Sequence, residues 1–283
     1  YAKKLDSKWS ASLGAEVNYA WLQIDKTVPD GKELPAGMLG VTGIPADTML
    51  PVSGKMQTEG ESYALGWNAA ANYAFDDKNE MGIVYRSAVN HSMEANVRAN
   101  GLFDGLFKNP TEAYACVTLP ESVMIGYGHK FNDKTRVELN GTWTRWSRFN
   151  SMDISFNGGE PHKDPKNWKD GWRYAIGIEH KLSDKYSLLG GIAYDESGIP
   201  DFSLSDPEGT KGADFMVPTG TRTTFTIGTQ YHDDRQTLAL AIGYMKVGDL
   251  YIEGGADHGV AYERAKMYDS YTKLVSISYQ YNF

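Results

Sequence analysis

Met38, Leu39, Ile44, Met49 and Leu50 fall in one long connection of the chain, with Val28, Pro29, Leu34, Pro35, Val41, Pro45 and Val52 around them. Such an apolar load on an exposed connection needs a partner. Leu102, Phe103, Leu106 and Phe107 in the next connection recur at helical spacing, so a short amphipathic helix there can supply a facing wall. A groove between the two would capture a greasy solute, and flexible Met side chains suit varied ligands. The same clustering also serves two loops that pack on each other as a lid. A second set is charged. Arg86, Glu94, Arg98, Arg136, Glu138, Arg173, Glu179 and Asp195 share by alternation the face opposite the apolar one, where most would form a solvated or paired network. Lys169, Arg173 and Arg86 are the cations offered to a ligand carboxylate, through charge-assisted hydrogen bonds. The competing role for Lys169, with Asp170, is to shape the start of a strand.

Catalytic patterns are missing. His91, His129 and His180 fall on the apolar, outward side of their runs, and His162, His232 and His258 lie in connections, so no inward His–Asp pair forms. The chain has no nucleophile elbow, metal-ligand spacing or phosphate loop. The expectation is a protein that is not an enzyme and uses no cofactor or metal.

The elements that must position these residues are read from alternation. From Ser62 to Phe75 the odd positions are Tyr63, Leu65, Trp67, Ala69, Ala71, Tyr73 and Phe75, while the even ones are small or polar. Trp9 to Trp21 repeats the pattern. Met81 to Glu94 reads as one further run with its odd residues outward. Val123 to Phe131, Val137 to Trp143, Trp172 to Leu182, Tyr186 to Tyr194, Phe225 to Tyr231, Leu238 to Tyr244 and Tyr271 to Phe283 make ten strands in all. Four tight connections begin Phe75-Asp76, Phe131-Asn132, Leu182-Ser183 and Tyr231-His232-Asp233, residues that tolerate turn geometry. Between them lie long connections, roughly 25 to 61, 99 to 115, 157 to 167, 198 to 220 and 254 to 267. Short turns at one end and long loops at the other fit a transmembrane barrel with periplasmic turns and extracellular loops. Aromatics at the strand ends fit a headgroup boundary. A soluble β-sandwich accounts less well for the strand lengths and the loop asymmetry.

Composition agrees. The chain has no apolar stretch of the roughly 18 residues a membrane helix needs. Its mean hydropathy is -0.46, which suits strands that show lipid only every second side chain. Net charge is -8, with both signs interspersed, so there is no basic stripe for nucleic acid. The single Cys116 cannot form an internal disulfide and is expected as a packed or lipid-facing thiol. Leu5-Asp6-Ser7-Lys8 repeats the short-turn formula, so Tyr1 to Lys4 reads as the stub of an earlier strand and the barrel domain, 1–283, as N-terminally incomplete.

Several strings then narrow the choice: Leu119-Pro120-Glu121-Ser122-Val123, Thr144-Arg145-Trp146-Ser147-Arg148-Phe149, Trp168-Lys169-Asp170-Gly171-Trp172-Arg173, Tyr194-Asp195-Glu196-Ser197-Gly198-Ile199-Pro200 and Val217-Pro218-Thr219-Gly220-Thr221-Arg222. In order and spacing they resemble the long-chain fatty acid transporter (FadL-like) family of outer-membrane proteins. The resemblance implies an all-β, antiparallel up-and-down barrel of fourteen strands, of which about ten are present. It further implies an N-terminal plug and passage of fatty acids or aromatic hydrocarbons through an opening in the wall. A basic residue matching Lys169 would face the internal pocket. The chain departs from the family pattern at Thr219-Gly220-Thr221, where an acidic residue is usual, and at Trp21, where a basic one is. The terminal Phe283 resembles the signal that such barrels present to their assembly machinery. Outer-membrane lipids and lipopolysaccharide are the surroundings expected for a monomer. An open diffusion porin or a surface adhesin is the alternative.

Overall fold

The computed structural model describes residues 1–36, 43, 45–101, 111–161, 166–199, 220–257 and 260–281, of which 26, 28–32 and 251–265 are described by their backbone. The strands in chain order are β1 (Ala2–Lys4), β2 (Trp9–Pro35), β3 (Met49–Ala74), β4 (Asn79–Arg86), β5 (Val89–Gly101), β6 (Thr111–Leu119), β7 (Ser122–Lys130), β8 (Thr135–Thr144), β9 (Asp153–Phe156), β10 (Gly171–Lys181), β11 (Tyr186–Asp195), β12 (Arg222–His232), β13 (Gln236–Val247), β14 (Leu250–Asp257), β15 (Val260–Met267) and β16 (Tyr271–Tyr281). All but β14 and β15 join one antiparallel sheet of the up-and-down barrel type, and those two pair with each other. The described part of each of the ten alternating runs contributes to strand, Phe283 lying outside the described residues, and β1 pairs with β2 from Ser10 to Ser12. Among the described residues neither β16 nor the part of β2 beyond β1 has a further partner at its outer edge, so this sheet is open.

Alternation decides the faces. Leu65, Trp67, Tyr127, Ile176, Ile192 and Ile242 are exposed on the apolar side, and Tyr85 joins them by packing its ring 5.0 Å from Trp67. The opposite side carries polar pairs: across strands, Arg86 with Glu16 at 3.3 Å, Arg136 with Glu80 at 2.6 Å and Ser187 donating to Glu179 at 2.9 Å, and along β8, Arg136 with Glu138. Exposed apolar side chains out and paired charges in is the arrangement of a barrel wall whose solvent is lipid.

The short turns share one chemistry. Asp6, Asp76, Asn132, Ser183 and Asp233 each accept, on one side-chain oxygen, the backbone N–H groups of the residues two and three further on. These groups would otherwise be unpaired at the hairpin tip. The Arg235 N–H, the Gln236 carboxamide and the Gln236 N–H hold the Asp233 carboxyl down at about 2. A carboxylate lowered on folding contributes stability that is full above its unfolded value of about 3.9 and is lost as pH falls through the folded one. Asp233→Ala is therefore expected to lower the urea midpoint at neutral pH, with the gap to wild type closing between about pH 4 and pH 2. A gap independent of pH would show that the turn owes nothing to this charge.

Two boundaries differ from the sequence reading. The supposed loop from 25 to 61 is largely strand: β2 and β3 continue as a ladder to Pro35 and Met49, with one irregularity between Val28 and Lys32. At about 3.3 Å per residue these strands far exceed the roughly ten residues that cross a membrane, so the hairpin projects beyond it. The run from Met81 to Glu94 is two strands. Asn68 pairs with Arg86 and Glu61 with Glu94, so seven steps along β3 face eight along its neighbour, and the extra residue reverses the face. Val89, His91 and Met93 are consequently buried, not outward, and Glu94 and Arg98 lie on the exposed side, not inward. The next strand breaks alongside at Pro120, whose missing N–H cannot serve the ladder. Cys116 is exposed on β6 rather than packed.

Candidate functional site

The polarity of the wall inverts at one level. Along β2 the outward residues Trp9, Leu13, Val17, Tyr19 and Trp21 are apolar and exposed, and the inward ones are Ser10, Ser12, Gly14, Glu16 and Asn18. Beyond Trp21 the inward positions become Leu22 and Ile24, while the outward ones become Gln23 and Asp25. On β3 the outward residues above Tyr63 are Glu61, Glu59 and Gln57, and across from them on β5 stand Glu94, Asn96 and Arg98. Tyr19 donates to Glu61 at 2.8 Å and Trp21 to Glu59 at 3.2 Å, tying the aromatic level to the acidic one. Below this level the wall is dressed for lipid; above it, for water. At the next strand Glu112 holds the Tyr114 phenol above its ordinary range by its charge and its hydrogen bond.

The inward face above that level is where apolar side chains converge. Ladder partners share a face, so Thr58 with Val97, Gly60 with Ala95, Ala95 with Ala113, Met93 with Ala115, His91 with Val117, and Ala115 with Ile154 form one layer across β3, β5, β6 and β9. Val97 is 0% exposed and Ala113, Met93 and Val89 are buried. Within the layer lies a cavity of about 40 Å³ bounded by Leu22, Ile24, Met93, Val117, Met152 and Ile154, with Gly60 and three alanines as its floor. That is smaller than the roughly 150 Å³ that holds a benzene ring, so a guest must displace side chains. Met93 and Met152 are the flexible ones. None of these residues was singled out from the sequence as part of a site. The available signal was the change of phase at Trp21-Leu22-Gln23-Ile24.

Among the described candidates, Met49, Leu50 and the three cations do not line this cavity. Met49 and Leu50 pair with Pro35 and Leu34 at the far end of the β2–β3 hairpin. Met38, Leu39, Ile44, Leu102, Phe103, Leu106 and Phe107 lie outside the described residues. Arg86 is engaged by Glu16. Arg173 is exposed opposite Asp195 in the ladder, and that carboxylate is bound by Arg222 at 3.0 Å. Lys169 is exposed; its backbone N–H donates to the Gly198 carbonyl at 2.7 Å.

What the family strings build is a rim. Glu121, 5% exposed, binds Arg145 at 3.1 Å and Arg148 through its other oxygen, and its carbonyl accepts the Arg145 N–H. Asp170 accepts the Ser147 N–H at 3.0 Å and Glu196 the Trp172 N–H at 3.0 Å. Trp168 packs edge-on against Trp146 and Phe149, and also against buried Ile199 and Leu250. A Cβ on Gly198 would stand 2.7 Å from the Lys169 carbonyl, so no larger residue fits. Four strings distant in sequence thus join in one row of contacts over the ends of β7, β8, β10 and β11. Their carboxylates brace loops, and Lys169 is held at this rim.

The chain matches the family model of "Outer membrane protein transport protein (OMPP1/FadL/TodX)" over residues 1–283. It is 25% identical over 217 residues to a long-chain fatty acid transport protein of Escherichia coli O6:H1, covering 70% of this chain and 48% of that protein. To Outer membrane protein P1 of Haemophilus influenzae it is 26% identical over 198 residues, covering 70% of this chain and 39% of that one. The chain thus spans about half the length, or less, of these two curated relatives. The crystal structure of a Pseudomonas aeruginosa FadL homologue superposes with a TM-score of 0.82 at 18% identity, over 99% of this chain and 66% of that one. The Ralstonia pickettii toluene transporter TbuX does so with a TM-score of 0.62 at 15% identity, over 100% and 65%. The alternating wall, the short Asx-type turns and the match over the whole chain place it in the outer membrane, as a member of the outer membrane protein transport family (OMPP1/FadL/TodX).

Proposed function

We propose that this chain forms the wall and part of the outer mouth of a transporter that passes hydrophobic solutes, long-chain fatty acids or small aromatic hydrocarbons, across the outer membrane. The observation that carries this reading is the inversion of polarity: above Trp21 and Tyr63 the wall turns its apolar side chains inward around the Met93–Ile154 cavity. A water-filled porin has no use for an apolar interior outside the membrane, because apolar surface facing water there is a cost. The connections that carry Met38, Leu39, Ile44, Leu102, Phe103, Leu106 and Phe107 supply the outer side of this capture site. Lys169, Arg173 and Arg86 are the cations offered to a carboxylate farther in. The related proteins named for fatty acid transport and the toluene transporter support the solute class. The barrel is expected to work as a monomer among outer-membrane lipids and lipopolysaccharide, and to be delivered by the assembly machinery through its last strand.

The test is uptake of radiolabelled fatty acid and of toluene by cells that lack their own transporter and express the full-length protein. Uptake of at least one above the empty-vector level is expected; growth-limiting leakage of small polar solutes instead would favour the porin. Met93→Ser should weaken capture by about 1.5–3 kcal/mol, roughly tenfold or more at limiting solute. Uptake equal to wild type at equal surface level would remove the cavity from the pathway.

A further inference from the structure

At the short-turn end of the wall a chain of polar groups runs along the outward face. Asn79 opens β4 and stands opposite His129 of β7 in the ladder, and Tyr127 alternates onto the same face as His129. The Asn79 Nδ2 donates to both carboxylate oxygens of Asp76, each at 2.8 Å. That same carboxamide and the Lys78 N–H hold Asp76 below the usual carboxylate range. The Asn79 Oδ1 therefore points the other way, where it meets the Tyr127 hydroxyl at 2.6 Å and His129 Nδ1 at 2.8 Å. A carboxylate only accepts, which fixes the carboxamide; a carboxamide oxygen only accepts, which puts the ring hydrogen of His129 on Nδ1. A neutral imidazole held in this way presents Nε2 as a lone pair. Among the described residues Nε2 has no hydrogen-bond partner, and the protein does not close it off. His180, on the same face of β10, makes the contrast: its Nδ1 meets Thr135 Oγ1 at 3.0 Å, a hydroxyl that both donates and accepts, so nothing fixes its tautomer.

The surroundings of that lone pair are a lipid boundary. Phe131 sets its ring nearly perpendicular to the His129 ring at 4.6 Å. Phe75, Tyr127 and Phe131 are exposed at this end of the wall, where aromatic side chains mark the headgroup level. An acceptor left without a donor at this level is a cost, and the donors that a leaflet brings to it are those of its headgroups.

We propose that His129 Nε2 docks a phospholipid whose headgroup ends in a primary ammonium, in the leaflet on the side of the short turns. The ammonium donates to Nε2 and rests against the rings of Tyr127 and Phe131, which joins a charge-assisted hydrogen bond to cation–π attraction. Asp77, exposed in the adjoining turn, adds a negative charge, and Lys78 beside it is available to the phosphate that follows the ammonium. Asn79 and Asp76 are positioning residues: they act by setting which nitrogen of His129 is free. The site is independent of the solute that the barrel passes.

The test uses the full-length protein, exchanged into detergent and incubated with one lipid at a time, with the retained lipid counted by native mass spectrometry. Phosphatidylethanolamine is expected to be retained about fivefold better than phosphatidylcholine, which has the same charge but no N–H to donate. The preference should vanish in His129→Phe and survive in His180→Phe. Equal retention of the two lipids by the wild-type protein overturns the proposal, as does a preference for phosphatidylglycerol or one that survives His129→Phe. A second measurement reads the tautomer itself. With isotopically labelled histidine nitrogens in neutral phosphatidylcholine bilayers, magnetic resonance should show His129 with its hydrogen on Nδ1, and the Nε2 signal should move when phosphatidylethanolamine is added. Asn79→Leu should lose both the fixed tautomer and the lipid preference while the barrel keeps its folded mobility on a gel. A hydrogen found on Nε2 of the wild-type protein overturns the proposal whatever lipid is retained.

Discussion

Replacing Val97 by Asp is expected to be the most damaging single change in the extension above the membrane. Val97 is fully buried, paired with Thr58 on one side and Thr111 on the other. The substitution removes about 1.5–3 kcal/mol of apolar burial and inserts a carboxyl group among ladder neighbours, Thr58, Ile24 and Thr111, that carry no charge. The total is about 4 kcal/mol or more, in the range reserved for buried charges and core cavities. Because the extension lies beyond the membrane ladder, the loss should be local. Limited proteolysis should cut between β5 and β6, and solute capture should fail, while the barrel keeps its heat-resistant mobility on a gel. Val97→Ala, which only trims the side chain, should cost about 1–2 kcal/mol. Equal protease resistance in the Asp variant and wild type would mean that β3, β5 and β6 do not pack through this face.

The second large effect belongs to Glu121. Its carboxylate is almost fully buried and holds two guanidinium groups, so Glu121→Ala leaves Arg145 and Arg148 without the anion that fixes them. Both arginines are nearly half exposed, and water offsets part of the loss, so the expected cost is about 2–3 kcal/mol rather than that of a fully buried pair. Glu121→Gln keeps one acceptor for one arginine but turns an NH2 donor toward the other, and removes the charge, so it should recover only part of the loss. The measurement is the urea midpoint of the refolded protein in lipid, followed by the fluorescence of Trp146 and Trp168, which sit on the same rim. A midpoint unmoved by Glu121→Ala would show that the rim is held by its aromatic and backbone contacts alone. The effect should be seen as a local loosening, because Ser122 to Lys130 remain paired on both sides.

The membrane wall was legible in the residues because a strand between lipid and lumen must alternate, and nothing else in the chain needs to. Leu65, Trp67, Ile176, Ile192 and Ile242 fall outward and Arg86, Glu138 and Glu179 inward by that period alone. The short turns were equally plain, since an Asp, Asn or Ser at the hairpin tip can satisfy two backbone N–H groups without help from elsewhere. What alternation could not reveal is the single extra residue near Ser87. One residue turns a strand over, and a string of letters with apolar residues on both sides of it reads the same either way. So His91 and Met93 were placed outward and Glu94 and Arg98 inward, each the reverse of what the register shows. The length of the β2–β3 hairpin was hidden for a related reason: Pro29, Asp30 and Gly31 look like a loop, and only the pairing of β2 with β3 on either side of them, Val28 with Gly54 and Lys32 with Val52, carries the ladder past them. Glu121 and its two arginines lie in separate strings whose meeting depends on which strands stand side by side. Local physics determines period and turns; register, bulges and the convergence of distant side chains belong to tertiary structure, because they are fixed by partners that sequence spacing does not bring together.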